Sequence, residues 1–315
     1  MDRRTLIFRS ALAGAGLAAY PVCRLAALES GLARFAPLFE ISLAQWSVHR
    51  MLQSGQLDAL AFPTFAREEF DFGAVEYVNT FFQDRARDHA YLGELRARAF
   101  DANVRSLLIM VDAEGRLGDP DTSLRTEAVE KHYRWVEAAQ FLGCHSIRVN
   151  AASVGSPDTQ RDLAVDGLRR LTECAAGHDL NVIVENHGGV SSNGVWLAEV
   201  IRQVDHHRCG TLPDFGNFDL GNGESYDRYR GVQELMPFAR AVSAKSYAFG
   251  TDGDETTIDF RRMMRIVLDA GYRGYVGIEF EGDGLSEKEG IGATKSLLEA
   301  IRSEFQADPA FDAGA

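Results

Sequence analysis

Three acidic residues stand at the ends of apolar runs, where their side chains would be buried. Glu185 ends the run in VIVENHGG, Asp214 lies in LPDFGNF, and Glu279 lies in GIEFEG. A buried carboxylate is costly unless it is hydrogen-bonded, paired or bound to a cation, and three in one cavity would repel one another. The pattern therefore predicts that a divalent cation or positively charged side chains lie among the three carboxylates. Oxygen ligands alone favour Mn²⁺ or Mg²⁺, and Zn²⁺ or Co²⁺ would fit if a histidine joins them.

Further polar residues occur where other strands are predicted to end. Lys245 and Arg148 could offset part of the acidic charge. His187 lies two residues after Glu185, and Ser243 lies two residues before Lys245, so the members of each pair face the same side of a strand. The remaining candidates for contact with a substrate are Asn150, Glu76, Gln45 and Trp46. Two alternatives stay open, since Arg148 and Glu76 could form a structural pair and Trp46 could belong to the core.

These residues fall on a regular alternation of strand-like and helix-like segments. Eight apolar runs are interpreted as strands: 39–47, 74–82, 105–112, 145–153, 181–188, 210–217, 241–249 and 275–282. Helical spacing is clearest over 128–143 and 259–274, and each of these segments closes on a glycine that is typical of a helix C-cap. Eight units of about 35 residues predict an α/β fold with a single (β/α)8 TIM barrel. The barrel is expected over residues 39–306, with a flexible tail at 307–315.

An open doubly wound sheet is the alternative architecture. No G-x-G-x-x-G motif follows the first predicted strand, which argues against that alternative. In a barrel, residues at the carboxyl ends of the strands meet at one mouth. The barrel therefore explains how acidic residues far apart in the chain could form one site.

Composition narrows the class of protein and of partner. The 315 residues are 45% hydrophobic and 25% charged with four cysteines, which excludes a disordered chain, a collagen-like fibre and a disulfide scaffold. The net charge of −13 would repel a phosphate backbone and excludes a nucleic-acid partner. A small-molecule partner is compatible with this composition, and a homo-oligomer stays open.

Residues 1–30 are interpreted as an export signal. Arg3 and Arg4 precede a mostly apolar stretch from Ser10 to Val22 that is too short for a dedicated membrane span. The paired arginines resemble a twin-arginine signal, which exports folded proteins and predicts a periplasmic location. No stable membrane span would remain after removal of the signal. A buried N-terminal helix is the alternative for this segment.

The strand-end residues Glu185, Asp214 and Glu279, on eight βα units, resemble the xylose isomerase-like barrel superfamily of sugar-phosphate isomerases and epimerases. The segment FGAVEYVN, which contains Glu76, also looks like the second strand of that superfamily. The resemblance implies one divalent metal held by Glu, Asp, His and Glu from strands five to eight. The three acidic residues match three of these four ligands.

The chain departs from the family pattern at strand seven. Ser243 stands where the family usually has a histidine, and Lys245 follows it as in the family. Serine is a poor ligand for a divalent ion, so water, a substrate oxygen, His187 or His49 would fill the fourth position. Alternatively the metal is weak or absent, and Lys245 supplies the positive charge.

The resemblance implies a metal-dependent sugar isomerase or epimerase that removes a proton next to a carbonyl and passes through an enediolate. Glu185 and Glu279 would be the acid–base pair, while Lys245, His187 and Arg148 would hold or protonate substrate oxygens. The same chemistry could instead expel a β-oxygen, which gives a lyase or hydrolase acting on oxidised (3-keto) glycosides. A sugar-binding barrel without catalysis is the second alternative. An apurinic-site endonuclease would need a histidine-rich zinc set and a basic DNA-binding face that this sequence does not show.

Overall fold

Eight parallel strands form a curled sheet at the centre of the molecule. The computed structural model describes residues 37–311. In chain order the strands are β1 (Glu40–Ala44), β2 (Ala74–Val78), β3 (Arg105–Met110), β4 (Ser146–Asn150), β5 (Asn181–Glu185), β6 (Cys209–Leu212), β7 (Val242–Ser246) and β8 (Tyr275–Phe280). Strands β1 to β6 pair in sequence order, and β8 pairs with both β1 and β7. This order confirms the predicted (β/α)8 TIM barrel.

The barrel closes between β6 and β7 just beyond the regular part of β6. Asp214 and Ser243 form an isolated parallel bridge there. The backbone N–H of Ser243 donates to the carbonyl of Pro213 at 3.0 Å, and that of Phe215 donates to the carbonyl of Ser243 at 3.1 Å. A candidate site residue thus lies directly on the seam of the barrel.

A helix follows each strand and packs on the outside of the sheet. These helices are α1 (Phe62–Phe70), α2 (His89–Asp101), α3 (Thr122–Leu142), α4 (Pro157–Ala176), α5 (Gly194–Val204), α6 (Arg228–Leu235), α7 (Phe260–Asp269) and α8 (Glu287–Gln306). The connections contain a short α-helix at His49–Gln53, 3₁₀ helices at Gln45–Val48, Ala59–Ala61, Asn79–Arg85, Gly189–Ser192 and Met236–Phe238, and a small antiparallel hairpin of Asp219–Gly221 and Glu224–Ser225. Another 3₁₀ helix, Pro309–Phe311, follows α8.

Helix ends follow local capping chemistry. Asp121 caps α3 by accepting from the N–H groups of Ser123 and Leu124, and the helix ends at Gly143 with φ of +79°, as predicted. The second glycine assignment was wrong. Helix α7 ends at Asp269, and the glycine with positive φ is Gly271, at +81°, rather than Gly274. The chain leaves the helix three residues earlier because Gly271 adopts the left-handed conformation that ends it.

Alternation along the strands separates an outer core from a small inner one. Ile41 and Leu43 pack with the helices, whereas Ala44 points into the barrel. The inner apolar cluster consists of Ala44, Val78, Leu108, Met110, Ile183, Leu212 and Ala241. Because this inner cluster is small, much of the barrel interior near the carboxyl ends of the strands is left to polar side chains.

Glu76 is one of these inner side chains and is 1% exposed. Ser42 on β1 donates a hydrogen bond of 2.7 Å to its Oε1. On β8, Gly277 leaves the space that the carboxyl group occupies, since a Cβ there would lie 2.4 Å from Oε1 of Glu76. The glycine is therefore required by close approach and not by backbone conformation.

Some predictions concern residues at the two ends of the chain. The predicted export signal at 1–30 and residues 312–315 of the predicted tail lie outside the described residues. Within the described part of the tail, Phe311 is buried and stacks on Phe305 with ring centroids 5.2 Å apart. Over residues 37–311, no helix has the length and apolar character needed to cross a bilayer.

Candidate active site

Glu185, Asp214 and Glu279 converge at the carboxyl ends of the strands. Glu185 is the last residue of β5, Glu279 is the penultimate residue of β8, and Asp214 lies two residues beyond β6. One carboxylate oxygen from each of the three lies within 4.8 Å of those from the other two. All three residues are buried. We call these residues the acidic trio.

The loop after β6 is held by hydrogen bonds between side chains and backbone groups, and these bonds orient Asp214. Asn186 accepts from the N–H of Asp214 at 2.8 Å, and its amide donates to the carbonyls of Asp214 and Asn217 at 3.0 Å each. Oδ1 of Asp214 accepts from the N–H groups of Gly216 and Asn217 at 2.8 and 2.7 Å. One oxygen thus organises the loop, and Oδ2 is left to face the other carboxylates.

Ser243 lies between two members of the acidic trio. Its Oγ is 2.7 Å from Oδ2 of Asp214 and 3.2 Å from Oε2 of Glu279. A hydroxyl has a single proton to donate, so Ser243 can donate to only one of the two carboxylates at a time. The residue that replaces the family histidine therefore contacts the same carboxylates that would hold a metal.

Lys245 is the cation closest to Glu279. Its Nζ lies 3.1 Å from Oε1 of Glu279, 3.0 Å from Oε2 of Glu281 and 3.2 Å from Oδ1 of Asn217. Burial alone would lower the pKa of Lys245, but the surrounding carboxylates, first of all Glu279, raise it well above its ordinary value. Lys245 is therefore held as an ammonium ion.

Arg148 provides the second cation, on the side of Glu185. Its Nε lies 2.7 Å from Oε2 of Glu185, and its Nη1 donates to Oδ1 of Asp112 at 2.7 Å. Asn150 donates to the same oxygen of Asp112 at 2.8 Å. Asn79 exchanges two hydrogen bonds of 2.9 Å with the backbone of Asp112. Arg148 is thus positioned between a rim carboxylate and a buried one.

The three carboxyl groups of the trio differ in acidity. Burial raises the pKa of Glu185 well above its ordinary value, with Arg148 acting against it. Burial likewise raises the pKa of Asp214 to about 6, against the effect of Lys245. Burial also acts to raise the pKa of Glu279, but Lys245 and Arg148 outweigh it, and the pKa is lowered. Glu279 is therefore the member of the trio that is held ionised.

Glu76 lies on the inner face of β2 and is not a member of the acidic trio. Burial raises its pKa to about 7, the hydrogen bond from Ser42 opposes this shift, and the negative charge of Glu279 adds to it. Oε2 of Glu76 has no hydrogen-bond partner among the described residues. Glu76 is thus a carboxyl group that is about half protonated near pH 7.

Gln45 and Trp46 follow β1 directly. Gln45 is fully buried and accepts from the N–H of Val78 at 2.9 Å. The indole N–H of Trp46 donates to Glu281. Trp46 and Phe81 both pack against the inner apolar cluster, with ring centroids 5.9 Å apart. These two aromatic rings form one wall of the mouth.

The two histidines considered as a fourth ligand lie apart from the trio. Neither His187 nor His49 belongs to the group of converging ligand atoms. Nδ1 of His49 lies 2.7 Å from the carbonyl of Trp46 and 3.6 Å from Glu287. The side chain of His187 is exposed to solvent at the rim of the barrel. Partial desolvation by the protein around it, and then the positive charge of Arg148, lower its pKa.

The residues of the site that the sequence analysis missed include Asp112, Asn186, Asn217 and Glu281. Asp112 ends a predicted strand, which was a usable signal. Glu281 lies two residues after Glu279, so strand alternation also pointed to it. Asn217 lies in a loop, where its amide donates to Oε1 of Glu185 at 3.0 Å. Asn217 also ends a predicted strand, 210–217, but the observed strand ends at Leu212. The position of the Asn217 side chain therefore depends on the path of the loop, which sequence periodicity does not report.

The residues present fit a divalent cation. Lys245 and Arg148 supply two positive charges against the three carboxylates of the trio, and Asp112 and Glu281 add negative charge at the rim. Oε2 of Glu185 is buried and, for all its proximity to Arg148, makes no hydrogen bond of good geometry among the described residues. Three converging carboxylates against two cations form a set of hard oxygen donors that a divalent cation would satisfy.

A (β/α)8 barrel with buried carboxylates at the carboxyl ends of its strands defines a class of barrel proteins whose chemistry occurs at that face. Residues 66–303 match the Xylose isomerase-like TIM barrel family. The chain belongs to that family, which confirms the resemblance seen in the sequence.

Proteins similar to this chain include enzymes. The inosose dehydratase of Geobacillus thermodenitrificans (strain NG80-2) is 28% identical over 148 residues, which is 39% of this chain and 47% of the dehydratase. The chain thus spans about half the length of this curated relative. Solved structures also share the fold, including the following two. The 3-keto-D-glucoside 4-epimerase YcjR from E. coli, in its apo form, has a TM-score of 0.63 at 18% identity, covering 77% of this chain and 94% of that one. The IolI protein with a bound zinc atom has a TM-score of 0.67 at 14% identity, covering 85% and 99%.

Proposed function

We propose that this protein is a metal-dependent sugar isomerase or epimerase that removes a proton next to a carbonyl and passes through an enediolate. The observation that carries the proposal is the convergence of three buried carboxylates within 4.8 Å at the mouth of the barrel. An epimerase among the proteins that share the fold, and a bound zinc in another, support it. The substrate class is a small sugar or keto-sugar.

The chain supplies the groups for proton transfer. Glu279, held ionised by Lys245 at 3.1 Å, accepts the proton from the substrate carbon, and Glu185 returns a proton to the intermediate. Each carboxylate has two oxygens, so one can face a cation while the other handles the proton. Lys245, Arg148 and His187 hold substrate oxygens at the mouth. When held by the acidic trio, a divalent cation would act as a Lewis acid that polarises the carbonyl.

Exchange with solvent deuterium tests this proposal. The wild-type protein, loaded with Mn²⁺, Zn²⁺, Co²⁺ or Mg²⁺ and incubated with free keto-sugars in D₂O, is expected to exchange the hydrogen next to the carbonyl. Glu279→Gln should lose this exchange by about 10²-fold or more because it removes the base. Unchanged exchange in Glu279→Gln would reject its role. Sugar binding without exchange in any metal-loaded form would favour the non-catalytic barrel.

A lyase acting on oxidised (3-keto) glycosides is the second candidate. The similarity to an inosose dehydratase favours it, because elimination begins with the same removal of a proton next to a carbonyl. In this reaction the electron pair of the broken C–H bond forms a carbon–carbon double bond, and the bond to the β-oxygen breaks. The aglycone leaves with that oxygen, and the carbon does not take a proton back. Release of an aglycone from a keto-glycoside, at a rate that Glu279→Gln abolishes, would assign the lyase. Inversion or isomerisation with no aglycone release would assign the isomerase or epimerase.

We also propose that the protein acts in the periplasm after export by the twin-arginine route. The support is the sequence of residues 1–30, with Arg3 and Arg4 before an apolar stretch. Replacing both arginines by lysine should retain the protein in the cytoplasm, as measured by cell fractionation. An unchanged periplasmic fraction would count against this route.

A further inference from the structure

A second cavity lies on the same face of the barrel as the acidic trio. It is a groove of about 560 Å³ between the segment after β1 and the segment after β2, and it is lined by Leu52, Leu57, Thr80, Phe81 and Tyr91. Both segments leave the carboxyl ends of their strands, so the groove opens at the catalytic face. Its volume is within the range of small-molecule sites, roughly 300–1,000 Å³. We call it the rim groove.

The lining of the rim groove suits a ring without charge. Phe81 is half-buried and offers aromatic surface, while Asp58 and Asp84 offer hydrogen-bond acceptors for hydroxyl groups. The ring of Tyr91 stacks with Phe82, with centroids 6.1 Å apart. Among the described residues that line the groove, Arg85 is the only cation. It pairs with Asp88 at 2.9 Å and lies 5.7 Å from the centroid of the Tyr91 ring. With this charge balance, a phosphate or carboxylate group would be repelled by the two aspartates.

One aromatic contact joins the rim groove to the mouth. Phe81 lines the groove and contacts Trp46, with ring centroids 5.9 Å apart. Trp46 donates from its indole N–H to Glu281, which pairs with Lys245 at 3.0 Å. A group attached to a sugar in the mouth would therefore leave it across Trp46 and Phe81.

We infer that the rim groove binds the uncharged aglycone ring of a glycoside whose sugar lies in the mouth. This inference rests on the proposed function and narrows its substrate from free sugars to glycosides. Stacking of an aglycone ring on an aromatic side chain contributes binding free energy. We expect it to favour an aryl glycoside over a methyl glycoside by roughly tenfold in affinity.

Calorimetry with two intact glucosides tests the inference. Phenyl β-glucoside and methyl β-glucoside lack the ketone, so neither is turned over during the measurement. The metal-loaded wild-type protein is expected to bind the phenyl glucoside about tenfold more tightly. Thr80→Trp and Asp84→Trp, which fill the groove from exposed positions, should each reduce that ratio to about one. Thr80→Ser, which leaves the groove open, should keep it.

The outcomes separate the groove from the catalytic proposal. Equal affinities in the wild-type protein, or a ratio that both groove-filling variants retain, would overturn the inference. Circular dichroism establishes that these variants are folded. The affinity ratio does not require turnover, whereas the deuterium-exchange experiment uses free keto-sugars that do not reach the groove. A failure of one proposal is therefore distinguishable from a failure of the other.

Discussion

The hydroxyl of Ser243 lies 2.7 Å from Oδ2 of Asp214, across the seam that closes the barrel between β6 and β7. The hydrogen bond joins the residue that departs from the family pattern to a carboxylate of the acidic trio. It also lowers the pKa of Asp214, although burial has the larger effect and leaves that pKa at about 6. Metal loading should therefore depend on Ser243 even if serine is not a ligand.

Ser243→Ala should shift metal loading to higher pH. Removing a donor to the ionised carboxylate raises the pKa of Asp214, so protons compete with the metal up to a higher pH. Calorimetric titration with Zn²⁺ or Mn²⁺ between pH 5 and 8 should show an upward shift of the half-loading point by a few tenths of a unit or more. Ser246→Ala is the matched control, because Ser246 is on the same strand but bonds Thr294 on α8 at 2.7 Å. An unchanged or lower half-loading point would contradict this reading.

Glu76→Gln should stabilise the metal-free protein at alkaline pH. The pKa of Glu76 is raised from 4.5 to about 7, so its contribution to stability is present at pH 4.5 and below and is lost as pH rises through 7. The amide stays neutral, and the variant should gain about 2–3 kcal/mol in free energy of unfolding at pH 8 while changing little at pH 4.5. Urea denaturation with a chelator at the two pH values measures this. Glu68 is exposed, so Glu68→Gln should show no such difference between the two pH values. If Glu76→Gln were less stable than the wild-type protein at pH 8, this would count against a raised pKa of Glu76.

Lys245→Met should slow proton abstraction and move its pH dependence. Without the ammonium group the pKa of Glu279 rises, so the base becomes protonated at higher pH and the acidic limb of the rate profile shifts upward. The rate of solvent exchange at pH 7 should fall by about 10²-fold. Lys295→Met is the control, because it changes a residue of α8 away from the acidic trio and loses a pair with Glu299 and a contact with the Phe72 ring. An acidic limb that stays in place would show that Lys245 does not set the ionisation of Glu279.

Metal should stabilise the fold through the acidic trio. A ligand at 100 times its dissociation constant adds about 2.7 kcal/mol to the free energy of unfolding, so thermal unfolding should move to higher temperature when Zn²⁺ or Mn²⁺ is added and return with a chelator. Asp214→Asn should remove most of this shift because it replaces a ligand. If Asp214→Asn kept the full shift, the metal would be held elsewhere.

The barrel was predictable because its signal is repeated eight times along the chain. The predicted strands begin close to the observed ones but run on too far. For example, 39–47 was predicted and Glu40–Ala44 is observed. Beyond Ala44 the chain turns into a 3₁₀ helix, and apolar character alone does not mark that change. The hairpin after β6 was missed because its strands are two and three residues long, too short for any period.

The acidic trio was predictable for a different reason, since carboxylates at the ends of apolar runs stand out in a sequence. The residues that orient these carboxylates do not stand out in the sequence. Asn186 and Asn217 act through backbone and side-chain bonds across loops, and amides in loops are common. Whether Lys245 would pair with Glu279 or with Asp214 depended on the relative register of β7 and β8, which pairs Lys245 directly with Glu279.

The contact between Gly277 and Glu76 constrains how this sequence can change over generations. A methyl group at position 277 would lie 2.4 Å from the carboxylate, so a larger residue there requires the Glu76 side chain to move or to have been shortened first. Shortening residue 76 while Gly277 is kept creates no such clash. Among sequences descended from a common ancestor, Gly277 should therefore occur with either a long or a short side chain at 76, whereas a larger residue at 277 should occur with a short one.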